Sequence, residues 1–298
     1  MSRIAYVNGR YMPYAKAAVH VEDRGFQFAD GVYEVIAVAS GRLVDAIGHL
    51  DRLDRSLNEL RIASPMSRGA LLAVMAETIR RNRVVNGSLY LQVTRGAAKR
   101  EFAFPENARP TVVAIARNVD LLKAAANARK GVAAVTQPDI RWGRCDIKSV
   151  GLLPAALAKQ AAKEAGAYEA LLVDRDGNIT EGSSSNAWIV TKDNVLVTRA
   201  LSRSILGGIT RSAILELARR EGLRVEERPF SVQEAKAAKE VFVTSTTSFA
   251  MPIVMLDGQP VGNGGPGTVA TALRAAYEAH AATHATGHPD WQAPFLRP

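Results

Sequence analysis

Lys148 ends the segment Asp139–Ser149 (DIRWGRCDIKS) but for one residue, following an apolar–polar alternation and preceding Gly151 and an Ala- and Leu-rich stretch. That placement predicts a strand-to-helix junction, where partial desolvation favours the neutral, nucleophilic amine. Read locally, the same lysine also suits a surface position closing a strand, since lysines are mostly exposed. Thr180–Asn186 (TEGSSSN) sets one carboxylate, Glu181, beside a glycine and three hydroxyls. A carboxylate among donors suits a site that must stay ionised against a protonated ring nitrogen. A loop held by Ser and Asn side chains has the same composition. Leu206–Thr210 (LGGIT) places two glycines ahead of a helix, an arrangement in which backbone amides and the helix dipole seat an anion. It lacks the Gly-Lys-Ser/Thr ending of a Walker A loop. Val243–Ser248 (VTSTTS) adds hydroxyls at a strand end, where they meet ligands or simply make turns.

Two other segments imitate chemistry. Gly262–Gly267 (GNGGPG) has the composition of a phosphate loop but follows a hairpin and reads as a surface loop. His280, His284 and His288 share one helical face at i, i+4, i+8, a zinc-like spacing. Gly287 and Pro289 stop the helix before the third, no cysteine or acid is interleaved, and a packing or tail role is expected, with no metal.

The elements that position these residues are legible in the periodicities. Arg3–Val7, Gly31–Val38, Leu43–Ile47, Ser88–Arg95 and Thr111–Arg117 alternate as strands, with Asn8-Gly9 as a hairpin turn. His49–Arg61 and Ser67–Asn82 read as helices, the second with a Ser cap. Asn118–Lys130 carries little signal and is taken as a linker. Beyond it come strand Gly131–Thr136, helix Gly151–Ala165 stopped by Gly166, strands at 169–174, 178–180, 187–191 and 195–198, and helix Thr210–Glu221. Val225–Arg228, a short helix Val232–Ala238, Glu240–Thr244, a hairpin about Asp257-Gly258 and helix Thr268–Thr283 follow.

Size and composition bound the reading. At 298 residues, with 47% hydrophobic and 22% charged residues, the chain suits one large or two modest globular domains. No stretch approaches the roughly 20 apolar residues of a membrane span. Met1–Tyr11 goes straight into a strand-like pattern and does not read as a signal peptide. One cysteine, Cys145, forbids an internal disulfide. A cytoplasmic protein is expected. The net charge of +9 raises nucleic-acid binding, but the basic residues are scattered without a run of five or six like charges, and none is expected.

In combination and in this order, Asp23–Val35 (DRGFQFADGVYEV), His49–Arg52 (HLDR), Asp139–Ser149, TEGSSSN, LGGITR and VTSTTS resemble the fold-type IV pyridoxal-phosphate aminotransferases, and within that group the bacterial D-amino-acid aminotransferases. The likeness runs from about Tyr6 to Ala276. It implies an α+β, two-domain fold: a small N-terminal α/β domain (1–120), a larger β-barrel-like, helix-bearing cofactor domain (121–285) and a tail (286–298). It implies pyridoxal 5′-phosphate held by Lys148 as a Schiff base, with the same lysine moving the proton between substrate Cα and the cofactor C4′. Glu181 would pair with the pyridine nitrogen. Arg52, the amides of Ile209 and Thr210 and the hydroxyl of Thr246 would take the phosphate. Leu206 would pack on the ring with Ser185 near it, and Tyr33 and Arg100 would face the substrate carboxylate.

The reaction implied is transamination between a D-alanine-like amino acid and a 2-oxo acid such as 2-oxoglutarate, by a homodimer. One departure stands out. Where the D-amino-acid pattern resembles Arg-x-His, this chain has Arg100-Glu101-Phe102, losing a polar ring and placing an acidic competitor next to Arg100. That apolar substitution motivates the alternatives of the same fold: a branched-chain L-amino-acid or (R)-amine transaminase, or an aminodeoxychorismate lyase.

Overall fold

The computed structural model describes residues 3–283 and 285–286. Its backbone contacts divide into two units, one of Met1–Asp120, Ile147–Gly151 and Ala281–Pro298, the other of Leu121–Asp146 and Leu152–His280. The short stretch carrying Lys148 therefore belongs to the first unit, although the chain on either side of it belongs to the second.

In the first unit, β1 (Ile4–Val7) and β2 (Arg10–Pro13) form the expected hairpin, with Asn8 at φ 46° and Gly9 at φ 90° supplying the left-handed turn. Then come α1 (Arg24–Phe28), β3 (Gly31–Ala39), β4 (Arg42–Val44), α2 (Ala46–Glu59), α3 (Arg68–Asn82), β5 (Gly87–Thr94) and β6 (Thr111–Asn118). The strands form an antiparallel sheet in the order β16-β4-β3-β5-β6-β1-β2, where β16 is Ala285–Thr286. Helices α2 and α3 cover one face. Their Leu50, Leu53, Leu57, Leu71, Met75 and Ile79 are almost wholly buried against Ile36, Leu89 and Leu91 of the sheet. Truncating one of these leucines to alanine costs roughly 2–5 kcal/mol. Ser67 caps α3 as predicted, accepting from the Ala70 amide at 3.3 Å.

The second unit carries α4 (Leu121–Lys130), β7 (Val132–Pro138), α5 (Leu153–Glu164), β8 (Glu169–Val173), β9 (Ile179–Gly182), β10 (Asn186–Val190), β11 (Leu196–Thr198), α6 (Ile209–Arg220), β12 (Val225–Glu227), α7 (Val232–Ala237), β13 (Glu240–Ser245), β14 (Phe249–Leu256), β15 (Gln259–Pro260) and α8 (Thr268–Thr283), whose last residues pass into the first unit. Its mixed sheet runs β12-β11-β10-β13-β14-β7-β8-β9, and β9 comes round against β10, which gives the expected barrel-like curl. Strands β8, β10 and β13 are buried almost throughout and read as continuous apolar runs, because both their faces are covered.

Two local expectations are corrected. Asn118–Lys130 is not a linker: Leu121–Lys130 forms α4, whose alanines, arginine and lysines favour helix, and Ala128 is buried in the second unit's core. No regular strand leads into Lys148 either. Residues 139–148 are loop, with Arg141 and Arg144 each turned back onto an acid two residues away, Asp139 and Asp146. Gly262–Gly267 is a loop as expected. His280 stacks on Tyr277 at 5.6 Å, whereas His284 and His288 lie outside the described residues, as does the expected tail beyond Thr286. Among the described residues no cluster fits a metal ion, and no helix is long and apolar enough to cross a membrane.

Candidate active site

Strand alternation divides the side chains of β3 between two environments. Glu34 points to the helix-covered face and is 1% exposed, while its neighbour Tyr33 is only half-buried. Strand β4 pairs with only the far end of β3, at Val38 and Ala39, so the edge of Gly31–Tyr33 is open. The Lys148 segment fills it. Tyr33 donates its amide to the Lys148 carbonyl at 3.0 Å, Val150 donates to the Gly31 carbonyl at 3.0 Å, and the Lys148 amide donates to Ser56 Oγ of α2 at 3.3 Å. Backbone bonds on both sides thus fix the lysine. Its Nζ lies 4.3 Å from the centroid of the Tyr33 ring, and among the described residues of this unit it meets no carboxylate. A half-buried amine against an aromatic face, without a salt bridge in its own unit to hold it, is suited to react with a carbonyl.

Beneath β3, His49 and Arg52 stand one turn apart on α2 and converge on Glu34. Arg52 donates Nε to Oε1 at 2.8 Å and Nη2 to Oε2 at 2.6 Å, and His49 Nδ1 meets Oε2 at 2.7 Å. Burial alone pushes the Glu34 carboxyl up, but the Arg52 guanidinium outweighs it and holds the group at about 2. For His49 burial wins over Glu34 and pushes the imidazole pKa down, so the ring is neutral and its Nδ1 carries the proton given to the carboxylate. Arg52 is therefore a fixed cation on a rigid helix, oriented by a buried anion.

Tyr33 stacks on Tyr90 of β5 at 5.6 Å, and Tyr90 donates to Gln92 Oε1 at 2.6 Å. Burial, with Tyr33 adding to it, pushes the Tyr90 phenol up to about 12, so it remains a donor at any working pH. Arg100 is exposed in the loop after β5, its guanidinium 5.1 Å from the Phe28 ring. The competing ion pair with Glu101 does not form: Glu101 Oε1 accepts the Phe102 amide at 2.8 Å instead.

In the second unit Glu181 sits on β9, 5% exposed, and three N–H groups converge on it. Arg141 meets Oε1, while Asn186 Nδ2 at 3.0 Å and the Leu206 amide at 3.1 Å both reach Oε2. Asp139 pairs with the other side of Arg141; burial pushes its carboxyl up, but Arg141 prevails and holds it below the usual carboxylate range. Asn186 also donates to the Leu206 carbonyl at 2.9 Å, so one buried amide ties β10, Glu181 and the glycine loop together. Gly208 is required there, since a Cβ would lie 2.1 Å from Asn186 Oδ1. Gly208 is also the N-cap of α6, with no side chain capping the helix, so the amides of Ile209 and Thr210 open the helix as an anion seat. Thr246 occupies the turn after β13, closed by a 2.6 Å contact between Ser245 Oγ and Ser248 Oγ.

Ser185 lies in the turn between β9 and β10. Its Oγ donates to Glu169 Oε2 at 2.9 Å, and Ser183 bonds the same carboxylate, so Glu169 orders the serine turn from beneath. Glu34, Tyr90, Arg141 and Asn186 also shape the site, and local pattern does not single them out. Glu34 had a signal in its place on the inward face of an alternating strand; Asn186 and Arg141 needed long-range pairing to be seen.

These residues fit the cofactor that the sequence resemblance implies. The first unit offers a reactive amine and an oriented guanidinium. The second offers a buried carboxylate fixed by three N–H groups, and a glycine-lined helix start whose amides suit a phosphate.

Comparison with known proteins agrees. Residues 31–256 match the family described as amino-transferase class IV. The chain is 42% identical over 271 residues to the D-alanine aminotransferase of Bacillus licheniformis, covering 91% of this chain and 94% of that one. It is 37% identical over 280 residues to that of Staphylococcus epidermidis, covering 94% and 98%. Among solved structures, the branched-chain aminotransferase of Thermoproteus uzoniensis with norvaline superposes with a TM-score of 0.80 at 26% identity, over 93% of this chain and 94% of that one. The chain belongs to the class IV aminotransferases.

Proposed function

We propose that this protein catalyses pyridoxal-phosphate-dependent transamination between a D-alanine-like amino acid and a 2-oxo acid such as 2-oxoglutarate, as a homodimer in the cytoplasm. The observation that carries the chemistry is Lys148, backbone-anchored to β3 and α2, with its amine on the Tyr33 ring and no carboxylate partner among the described residues of its unit. The D-alanine aminotransferases that share more than a third of its residues over nine tenths of the chain support the substrate class.

Pyridoxal phosphate, when bound, supplies an electron sink that stabilises charge at the substrate Cα. Lys148 provides the amine that holds it and takes and returns the Cα proton. Glu181, kept in place by Arg141, Asn186 and the Leu206 amide, would pair with the ring nitrogen. Arg52 of the first unit would take the phosphate, as would the amides of Ile209 and Thr210 and the Thr246 hydroxyl of the second, and Leu206 would flank the ring. Ser185 would lie near the ring, in the turn that Glu169 orders after Glu181. Tyr33 and Arg100 receive the substrate carboxylate, for which the guanidinium fork is matched in shape.

Purified holoenzyme given D-alanine and 2-oxoglutarate yields pyruvate on this reading, and yields little 2-oxo acid from L-leucine or acetophenone from (R)-1-phenylethylamine. Turnover of L-leucine without turnover of any D-amino acid rejects it. Light scattering on a sizing column, reporting a two-chain mass, tests the dimer.

A further inference from the structure

Arg24 is 2% exposed, yet most of what its guanidinium touches is backbone of a surface loop. Its Nε donates to Asp30 Oδ2 at 2.8 Å, while its Nη atoms reach the carbonyls of three consecutive loop residues, Glu101, Phe102 and Ala103. Asp30 cannot neutralise it alone. The same carboxylate also accepts two N–H groups of Arg95, at 2.7 and 3.0 Å, so two buried guanidinium groups share one negative charge. The excess charge is solvated by carbonyls: Arg95 takes those of Leu60 and Arg61, and Arg24 takes those of the loop. A buried cation whose solvation shell is a loop's backbone holds that loop firmly, because letting go leaves the charge unsolvated.

One turn along α1, Phe28 supplies the second anchor. Its ring lies 4.6 Å from the Arg24 guanidinium, 5.1 Å from that of Arg100, and 5.5 Å from the ring of Phe102. At the loop's far end Phe104 is pinned under Arg95 at 3.6 Å. Helix α1 is itself immobilised, since Asp23 caps it through the Gly25 amide and accepts Thr94 Oγ1 of β5, and a Cβ on Gly25 would lie 2.2 Å from Thr94 Cγ2.

We infer that Arg24 and Phe28 form a mount for the 100–104 loop and set how tightly the enzyme binds the substrate carboxylate, as positioning residues that act through Arg100. This rests on the carboxylate-binding role proposed for Arg100. Phe102 contributes packing on Phe28 rather than a polar contact to substrate.

The test is steady-state kinetics of the holoenzyme with D-alanine for Arg24→Ala, Arg24→Lys, Phe28→Leu, Arg100→Ala and the double variant Arg24→Ala/Arg100→Ala, together with hydrogen exchange of the 98–104 amides. Arg24→Ala is expected to raise KM roughly tenfold or more with kcat changed little, since misplacing a binding group by about an ångström has effects of this size. Phe28→Leu, losing the cation–π contacts to Arg24 and Arg100, raises KM roughly threefold. The double variant has the KM of Arg100→Ala alone, and loop amides exchange faster in every Arg24 and Phe28 variant. If Arg24→Ala fails to fold, Arg24→Lys and Phe28→Leu carry the same expectations, because lysine keeps the charge at Asp30 but cannot span three carbonyls. Wild-type KM in those two variants, alongside a raised KM in Arg100→Ala, overturns the mount. An unchanged KM in Arg100→Ala overturns the role of Arg100 and this inference with it.

Discussion

Replacing Glu34 by glutamine removes one charge and keeps the shape, which isolates what the buried carboxylate does for Arg52 and His49. In the folded chain burial opposes ionisation, but Arg52 prevails and holds the carboxyl at about 2, against an ordinary value of 4.5. The difference of 2.5 pKa units corresponds to about 3 kcal/mol of stability, at 1.36 kcal/mol per unit. Because the folded value is the lower one, this contribution is fully present above pH 4.5 and disappears as the pH falls toward 2. By pH 3.5, one unit below the ordinary value, about 1.4 kcal/mol of it is gone. Glu34→Gln is therefore less stable than wild type by about 3 kcal/mol at pH 7, a drop in Tm of roughly 5–8 °C for a chain of this size. Urea titrations of both proteins at pH 7, 5, 4 and 3.5 measure it. The gap should be equal at pH 7 and 5 and should shrink at pH 4 and below. Equal stabilities at pH 7, or a gap that does not change with pH, refutes the assignment of Glu34 as the charge that compensates Arg52.

Gly208→Ala drives a methyl group into Asn186 Oδ1 and displaces the amide joining Glu181 to the Leu206 carbonyl. Affinity for pyridoxal phosphate, followed by absorbance titration, should fall roughly tenfold, with a stability loss of about 1–3 kcal/mol from overpacking; wild-type affinity contradicts this. Glu240, 5% exposed on β13, accepts the amides of Val269 and Ala270 at 3.0 and 2.8 Å and so caps α8 from outside the helix. Glu240→Ala should lower stability by about 1–2 kcal/mol in urea while leaving transaminase activity per folded molecule unchanged, and no loss of stability rules out the cap.

Much of the fold is written in local pattern. The hairpin at Asn8-Gly9, the Ser67 cap and the alternation of β3 each depend on a few neighbouring residues, and each forms as read. What the pattern hid was decided by distant contacts. Lys148 gains its place from backbone bonds to Tyr33 and Ser56, more than ninety residues away in the sequence, rather than from a strand of its own. The 139–148 segment alternates in sequence, but its arginines satisfy nearby acids and the chain stays a loop. Ser183 and Ser185 are tied to Glu169 of β8, a partner that the composition of their turn does not name. Buried partners such as Glu34 and Asn186 carry no signature beyond their inward position, since a polar residue on a covered face announces a partner without naming it.

Reducing the holoenzyme with borohydride, digesting it and mapping the pyridoxyl adduct by mass spectrometry tests whether Lys148 holds the cofactor. The visible absorbance should be lost and one modified peptide found, carrying the adduct on Lys148, with none in Lys148→Ala. An adduct on another lysine, or the same labelling in Lys148→Ala, contradicts it.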